Sequence, residues 1–278
     1  MRRHTECAAN KPGDKSMDAL EKLSVPVMAS IVIGLSIAYA VVGVMWGRRF
    51  VHRQHGEGHN ETIAAMFVSA ATLYAVLSAF LVVSVWEKYD NASAVVQQEA
   101  STLCTMYRMT NGMPSQEQTT MRGLLRAYTN AVIDKEWALQ VNGKAATEAR
   151  KAVGDLYRYQ ATMPTGEADL PVNTAFVQEI GILADDRNKR TLASEEQLPV
   201  SLWVGLIAGQ IATIGFTFLC YMKSVVPHVV GSAGFSAFIG LLLLVTLMMD
   251  HPFSGALAIS SEGFEHSLSV FDSVDKGN

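Results

Sequence analysis

Apolar positions gather in four long runs, at 25–47, 63–86, 199–222 and 225–249, with a mixed polar stretch between the second and third. The first run, Val25 to Gly47, is 23 residues. At about 1.5 Å rise per residue it reaches roughly 34 Å as a helix, enough to cross the hydrocarbon core of a bilayer with some tilt. None of the four runs contains Asp, Glu, Lys or Arg; the fourth holds only His228 and stops at Asp250. Trp46, Trp86 and Tyr221 stand at run ends, where amphipathic rings favour the headgroup zone. The first run is too long for a signal-peptide core and lacks a small-residue cleavage site after it, so it reads as a retained helix.

The intervening stretch carries helical rather than strand periodicity. Between Glu87 and Met109 there is no Pro or Gly, and Val95, Val96, Leu103, Met106 and Tyr107 recur at amphipathic spacing, so the second span is expected to continue into a helix. Asn111-Gly112 and Pro114 end it. Ser115 with Gln118 resembles a capping box that opens a helix through about Leu139. Asn142-Gly143 breaks that helix, a further one runs from about Lys144 to Ala161, Met163–Pro171 is a loop, and a last helix starts near Asn173 and passes through the charged run Asp185–Arg190. No segment alternates with period two. The expected fold class is an all-α membrane protein: four transmembrane helices in two hairpins, with a helical cytoplasmic domain inserted between them. The expected divisions are an N-terminal tail 1–24, hairpin 25–86, helical domain 87–198, hairpin 199–249 and C-terminal segment 250–278.

Mean hydropathy over the whole chain is only +0.19, an average that conceals this division. Of the 22 Lys and Arg residues, 12 lie in 87–198, and the loop between the first two runs has only Arg48, Arg49 and Arg53. The positive-inside rule then places both termini and the central domain in the cytoplasm, although long domains count little in that rule and Arg48 and Arg49 abut the opposite face. A net charge of −4 without a basic face argues against a nucleic-acid partner. Cys7, Cys104 and Cys220 are far apart and odd in number, which fits neither a disulfide framework nor a zinc site. Gly205 and Gly209 form a GxxxG step, and Ala64, Ala71, Ala75 and Ala79 recur on the second span. Such small residues allow close helix contacts, within the bundle or between subunits.

Catalytic signatures are absent. The chain has no P-loop, dinucleotide fingerprint, HExxH or nucleophile motif, and no enzyme activity or cofactor is expected. The charge-free spans argue against a proton-driven carrier, which needs ionisable groups inside the membrane, and leave passive permeation open. His52, His55 and His59, with Glu57 and Glu61, are the one group with metal-ligand spacing. Convergence would need a helix there, which Gly56 and Gly58 oppose, so the segment reads as a solvated polar loop. His228, after Pro227, reads as an interfacial cap or hydrogen-bond donor rather than a proton relay.

The stretch Trp86-Glu87-Lys88-Tyr89-Asp90-Asn91-Ala92, with Val95, Glu99-Ala100-Ser101, Leu103 and Tyr107-Arg108, resembles the bestrophin-like family of bacterial membrane proteins. Further matches are Tyr128, Glu136-Trp137, Arg187 with Arg190, Leu198-Pro199 with Trp203, and Asp250-His251-Pro252-Phe253-Ser254-Gly255 followed by Phe264. The resemblance covers about residues 25–270. It gives Trp86, Tyr89, Glu99, Pro252 and Phe253 structural roles as family-motif residues.

A more distant similarity is to the bestrophin channels. Phe80, Val82, Val83, Trp86, Tyr89 and Asp90 follow the rhythm of their R-W-W-x-Q-Y-E element, with Val85 where they have arginine. The similarity implies an oligomeric ion channel, a pentamer in that family, passing small anions passively through a neck lined by the second transmembrane helix. By position the neck residues are Val68, Thr72 and Val76, which share one helical stripe. They are smaller than the Ile and Phe of the family, and no acidic run resembling the animal calcium clasp is present. Ordinary helix packing is the competing reading of that stripe, and Phe67, Tyr74 and Phe80 occupy other faces. The implied partners are the lipid bilayer, further copies of the chain as a homo-oligomer, and small inorganic ions. The implied location is the bacterial inner (plasma) membrane. The alternative function is a non-conducting membrane scaffold whose helical domain binds a partner.

Overall fold

The computed structural model describes residues 24–51, 58–140, 147–163, 170–220, 222–255 and 257–277. Every regular element among them is helical: α1 (Val25–Val51), α2 (Gly58–Met109), α3 (Ser115–Ala131), α4 (Trp137–Gln140), α5 (Thr147–Gln160), α6 (Leu170–Glu195), α7 (Val200–Leu219), α8 (Val225–Met249) and α9 (Glu262–Asp275). A 3₁₀ turn (Thr110–Gly112) follows α2, and one π-helical turn (Val132–Glu136) joins α3 to α4. The all-α expectation holds. Four helices are long and apolar enough to cross a membrane: α1, α2, α7 and α8.

The chain forms two compact units. The first comprises residues up to Trp86, Leu198–Asp250 and Gly255–Leu257; the second comprises Glu87–Gln197, His251–Ser254 and the chain from Ala258 onward. In the first unit α1, α7 and α8 are held at short range by glycines. A Cβ on Gly43 would collide with the Phe218 ring, and one on Gly47 would meet the Phe218 carbonyl oxygen at 2.8 Å. Gly240 faces Ser36, and Gly209 lies under the Tyr74 ring of α2. Of the expected GxxxG pair, Gly209 is such a contact while Gly205 faces open space; the Gly43–Gly47 pair escaped the sequence reading. Close approach matters here because lipid supplies little hydrophobic drive for helix association.

Buried polar groups in this unit are largely paired. Gln210 donates to Ser36 Oγ at 2.8 Å, and His228 Nε2 lies 2.9 Å from the Thr217 carbonyl oxygen, the hydrogen-bonding role expected of it. Arg48 donates to the carbonyl oxygens of Met222 and Ser224, at 2.9 and 3.4 Å, which ties the end of α1 to the α7–α8 connection.

The second unit is a helical assembly around Leu103, Met106, Tyr107, Leu125, Tyr128, Leu156, Phe176, Ile180, Phe264 and Phe271, all fully or almost fully buried. Two boundaries differ from expectation. Ser115 does not cap α3: it is the first helical residue, Pro114 holds the N-cap position with no side-chain cap bond, and Gln118 N–H donates to the Pro114 carbonyl instead. Proline's fixed φ and missing N–H make it well suited to a helix start, so the local hydroxyl is not needed. Second, α6 begins at Leu170, so Pro171 sits in its first turn rather than in a loop; the first turn needs no intrahelical N–H from that residue. Cys220 ends α7 in an extended conformation instead of lying inside a span helix. The expected break at Asn142-Gly143 and the centre of the expected 163–171 loop lie outside the described residues.

Candidate functional site

The element that carries the candidate pore residues is α2, 52 residues long. Its inward positions are Ile63, Tyr74, Ser78, Leu81 and Val85, then Ala92, Val96, Glu99, Leu103 and Met106, all buried, with Phe67 and Ala70 half-buried. Their spacing alternates threes and fours, close to 3.6 residues per turn, so the buried face keeps one phase along the helix. With Tyr74 set at zero and 100° per residue, this face spans about ±40° over the apolar stretch 63–86, and beyond it widens to take in Ala100, Thr102 and Tyr107. Val68, Thr72 and Val76 then fall at about 120°, 160° and 200°, diametrically opposite.

Val68 and Val76 are 61% and 51% exposed, and Thr72 is exposed with its hydroxyl bound to the Val68 carbonyl at 2.8 Å. Ala65, Ala79 and Val83 extend the same exposed stripe. Of the other faces considered from sequence, Tyr74 is buried and Phe67 stacks edge-on against Phe235 at 5.2 Å, which removes both from an outward-facing role. Phe80 is 72% exposed, at the margin of the stripe.

The family-motif residues do not sit on this stripe as a group. Glu99 points the other way and is fully buried in the second unit. Arg190 donates to it from Nε (2.7 Å) and Nη2 (3.2 Å), Tyr128 Oη donates to Glu99 Oε1 at 2.6 Å, and Arg190 Nη1 donates to Gln140 Oε1 at 2.6 Å. Glu136 accepts from Arg187 at 2.5 and 3.3 Å and from Arg190 at 3.4 Å. The Arg190 guanidinium also lies 5.7 Å from the Trp137 ring centre and 5.6 Å from that of Phe264. Phe253 closes the cluster, edge-on to Trp137 at 5.8 Å.

Burial disfavours the charge on Arg190, but Glu99 and Glu136 outweigh it and hold the guanidinium pKa above its ordinary value. Burial and the Glu99 carboxylate push the Tyr128 phenol well up, which keeps it a neutral donor. The π turn at Val132–Glu136 widens the helix there, so that Val132, Glu136 and Gln140 remain on one buried side at fourfold spacing. No sequence pattern signalled it. Each polar member of the cluster is buried and has a partner, as a buried ion network that stabilises a fold requires.

A second group of motif residues converges in the first unit. Asp250 accepts from the Leu198 backbone N–H at 2.8 Å and from Trp203 Nε1 at 3.0 Å, fixing the start of α7 to the end of α8. Trp86 is 60% exposed and Tyr89 half-buried, while Pro252 and Phe253 are buried. Among the described residues no group of His, Cys, Asp and Glu has the geometry of a metal site. His52, His55 and Glu57 lie outside the described residues, as does the His59 side chain.

No curated protein sequence matches the chain. A point-mutant form of a bacterial bestrophin homolog from Klebsiella pneumoniae shares the fold, with a TM-score of 0.60 at 10% identity over 88% of this chain and 98% of that one. The sequence profile of the bestrophin-like domain matches residues 34–264. That match spans most of the 278 residues, and the chain belongs to the bestrophin-like family.

Proposed function

We propose that the protein is an oligomeric ion channel whose pore is bordered by the outward stripe of α2, with Val68, Thr72 and Val76 at its neck. The observation that carries this reading is the register of α2. A stripe of small uncharged residues runs along a membrane-length segment, opposite the face that the helix buries among the described residues. Copies arranged about an axis with these stripes inward would enclose a path that requires no charge inside the membrane, as a passive channel with an apolar constriction does. The small side chains make a neck wider than one built from Ile and Phe.

Family membership and the shared fold support the same reading, with the spans in the inner membrane and the 87–198 domain and both termini in the cytoplasm. The preference for small anions is suggested by the distant channel similarity alone; the neck residues carry no charge of either sign. Single cysteines at 68, 72 and 76 in a cysteine-free background, reconstituted in liposomes, test the pore. Charged thiol reagents are expected to block ion flux at these positions and not at Leu73, which lies about 60° beyond Val76. An intact oligomer that passes no ion under any gradient overturns the channel and leaves the non-conducting scaffold.

A further inference from the structure

One buried titratable group of the first unit takes no part in the pore. His228 stands in the first turn of α8 and is 2% exposed. Its Nε2 lies 2.9 Å from the Thr217 carbonyl oxygen, and because a carbonyl only accepts, that nitrogen carries the proton. Thr217 belongs to the last turn of α7, whose carbonyls have no partner within their own helix. The imidazole thus joins the end of one span to the start of the next. Its other nitrogen, Nδ1, is buried without a hydrogen-bond partner.

The joint is tightly packed and tied from a third helix. A Cβ on Gly47 would meet the Phe218 carbonyl oxygen at 2.8 Å, so α1 lies directly against the same last turn of α7. Arg48 donates to the carbonyl oxygens of Met222 and Ser224, which fastens the connection from the α1 side. Among the described residues, the titratable and charged groups at this end of the unit are Arg48 and Arg49 on α1, Glu61 on α2, and Cys220 and Lys223 in the connection. Glu61 is exposed, and neither α1, α7 nor α8 contains an Asp or Glu.

We propose that His228 is a pH-sensitive latch that holds α7 and α8 together while its imidazole is neutral and releases them when the imidazole is protonated. A second ring proton goes to Nδ1, the nitrogen that lacks an acceptor. It also creates a buried positive charge with no carboxylate on α1, α7 or α8 to balance it. Opening the connection lets the imidazolium reach water. Acid therefore favours the open form. The joint is complete at neutral pH and is lost as pH falls below about 6.5, where a solvated imidazole takes up a proton. The latch lies within the helix bundle of one subunit and stands whether or not the protein conducts.

Hydrogen exchange of the full-length protein in detergent, at about pH 7.5 and about pH 5, tests the latch once rates are corrected for the intrinsic pH dependence of amide exchange. Wild-type protection at 217–228 is expected to fall about tenfold on acidification, while that at 205–212, inside α7, stays the same. H228Q keeps an N–H for the Thr217 carbonyl and cannot titrate, so its protection should be equal at both pH values. H228F fills the space without bonding or titrating; its protection should be lower and equally flat, and it serves as the non-titrating control if H228Q fails to fold. Wild-type protection that does not change with pH, or a fall of the same size in H228Q or H228F, overturns the proposal.

Discussion

Arg190 grips Glu99 with two of its nitrogens, Nε to Oε2 at 2.7 Å and Nη2 to Oε1 at 3.2 Å, and neither side chain touches solvent. A carboxylate on α2 and a guanidinium on α6 are thereby paired in the interior of a helical unit, where neither charge would survive alone. Arg190→Met would strand Glu99 and part of Glu136 as buried carboxylates and is expected to lower stability by about 3–5 kcal/mol. Arg190→Lys keeps the charge but not the fork and should lose less. Thermal unfolding of the purified full-length protein, followed by circular dichroism, gives the ranking wild type, then lysine, then methionine.

Asp250 has an equally defined task. Asp250→Ala would leave the Leu198 N–H and the Trp203 indole N–H buried without an acceptor, at a cost of about 3 kcal/mol or more. Asp250→Asn retains one acceptor oxygen and should be intermediate. Trp203 fluorescence in detergent reports the change directly, because the indole loses its partner in the alanine variant.

Gly43 packs under Phe218, so Gly43→Ala is expected to disturb the α1–α7 contact by about 1–3 kcal/mol, the usual cost of overpacking. Phe218→Ala in the same chain relieves the collision. Recovery of the detergent-solubilised melting temperature in the double variant, relative to Gly43→Ala alone, checks this contact.

The C-terminal helix α9 is pinned by charge at an accessible surface. Asp275 accepts from Arg122 at 2.8 Å, Arg126 at 2.7 Å and Tyr107 Oη at 2.9 Å. Burial raises the Asp275 pKa, but the bonds from Arg126 and Tyr107 and the charges of both arginines outweigh it and hold the carboxyl below its ordinary 3.8. A depressed carboxyl pKa stabilises the folded state above the unfolded value, and that contribution disappears as pH falls below about 3.8 and through the folded value. Hydrogen exchange at 262–275 is therefore expected to accelerate in that acid range. Asp275→Asn should exchange faster at neutral pH and show a flatter acid response.

At the pore face, Val68→Phe and Val76→Phe should narrow the neck and reduce ion flux several-fold in liposomes, while the oligomer and its melting temperature remain near wild type. Both valines are more than half exposed, which leaves room for a larger ring. Equal flux in wild type and both variants would place the permeation path elsewhere.

The sequence by itself determined the four apolar spans, the helical character of the described residues and the unbroken passage of α2 beyond its apolar stretch, because all three follow from local quantities: hydropathy over about twenty residues, period, and missing helix breakers. It also singled out Glu99, Tyr128, Glu136, Arg187, Arg190, Trp203 and Asp250, though only as members of a resemblance. Only the tertiary structure decided that the first five form one buried ion network while Trp203 and Asp250 form a separate joint. Such pairings connect positions up to 91 residues apart, as Glu99 and Arg190 are, and nothing local encodes them.

The same holds for the π turn that aligns Glu136 with Gln140, for Pro114 in place of Ser115 at the start of α3, and for Gly43 and Gly47 as close helix contacts. The stripe of Val68, Thr72 and Val76 was visible as a periodicity. Its standing as the outward face needed the burial of Tyr74, Ser78, Leu81 and Val85, because a helix with apolar residues on every side has no inside until its neighbours are placed.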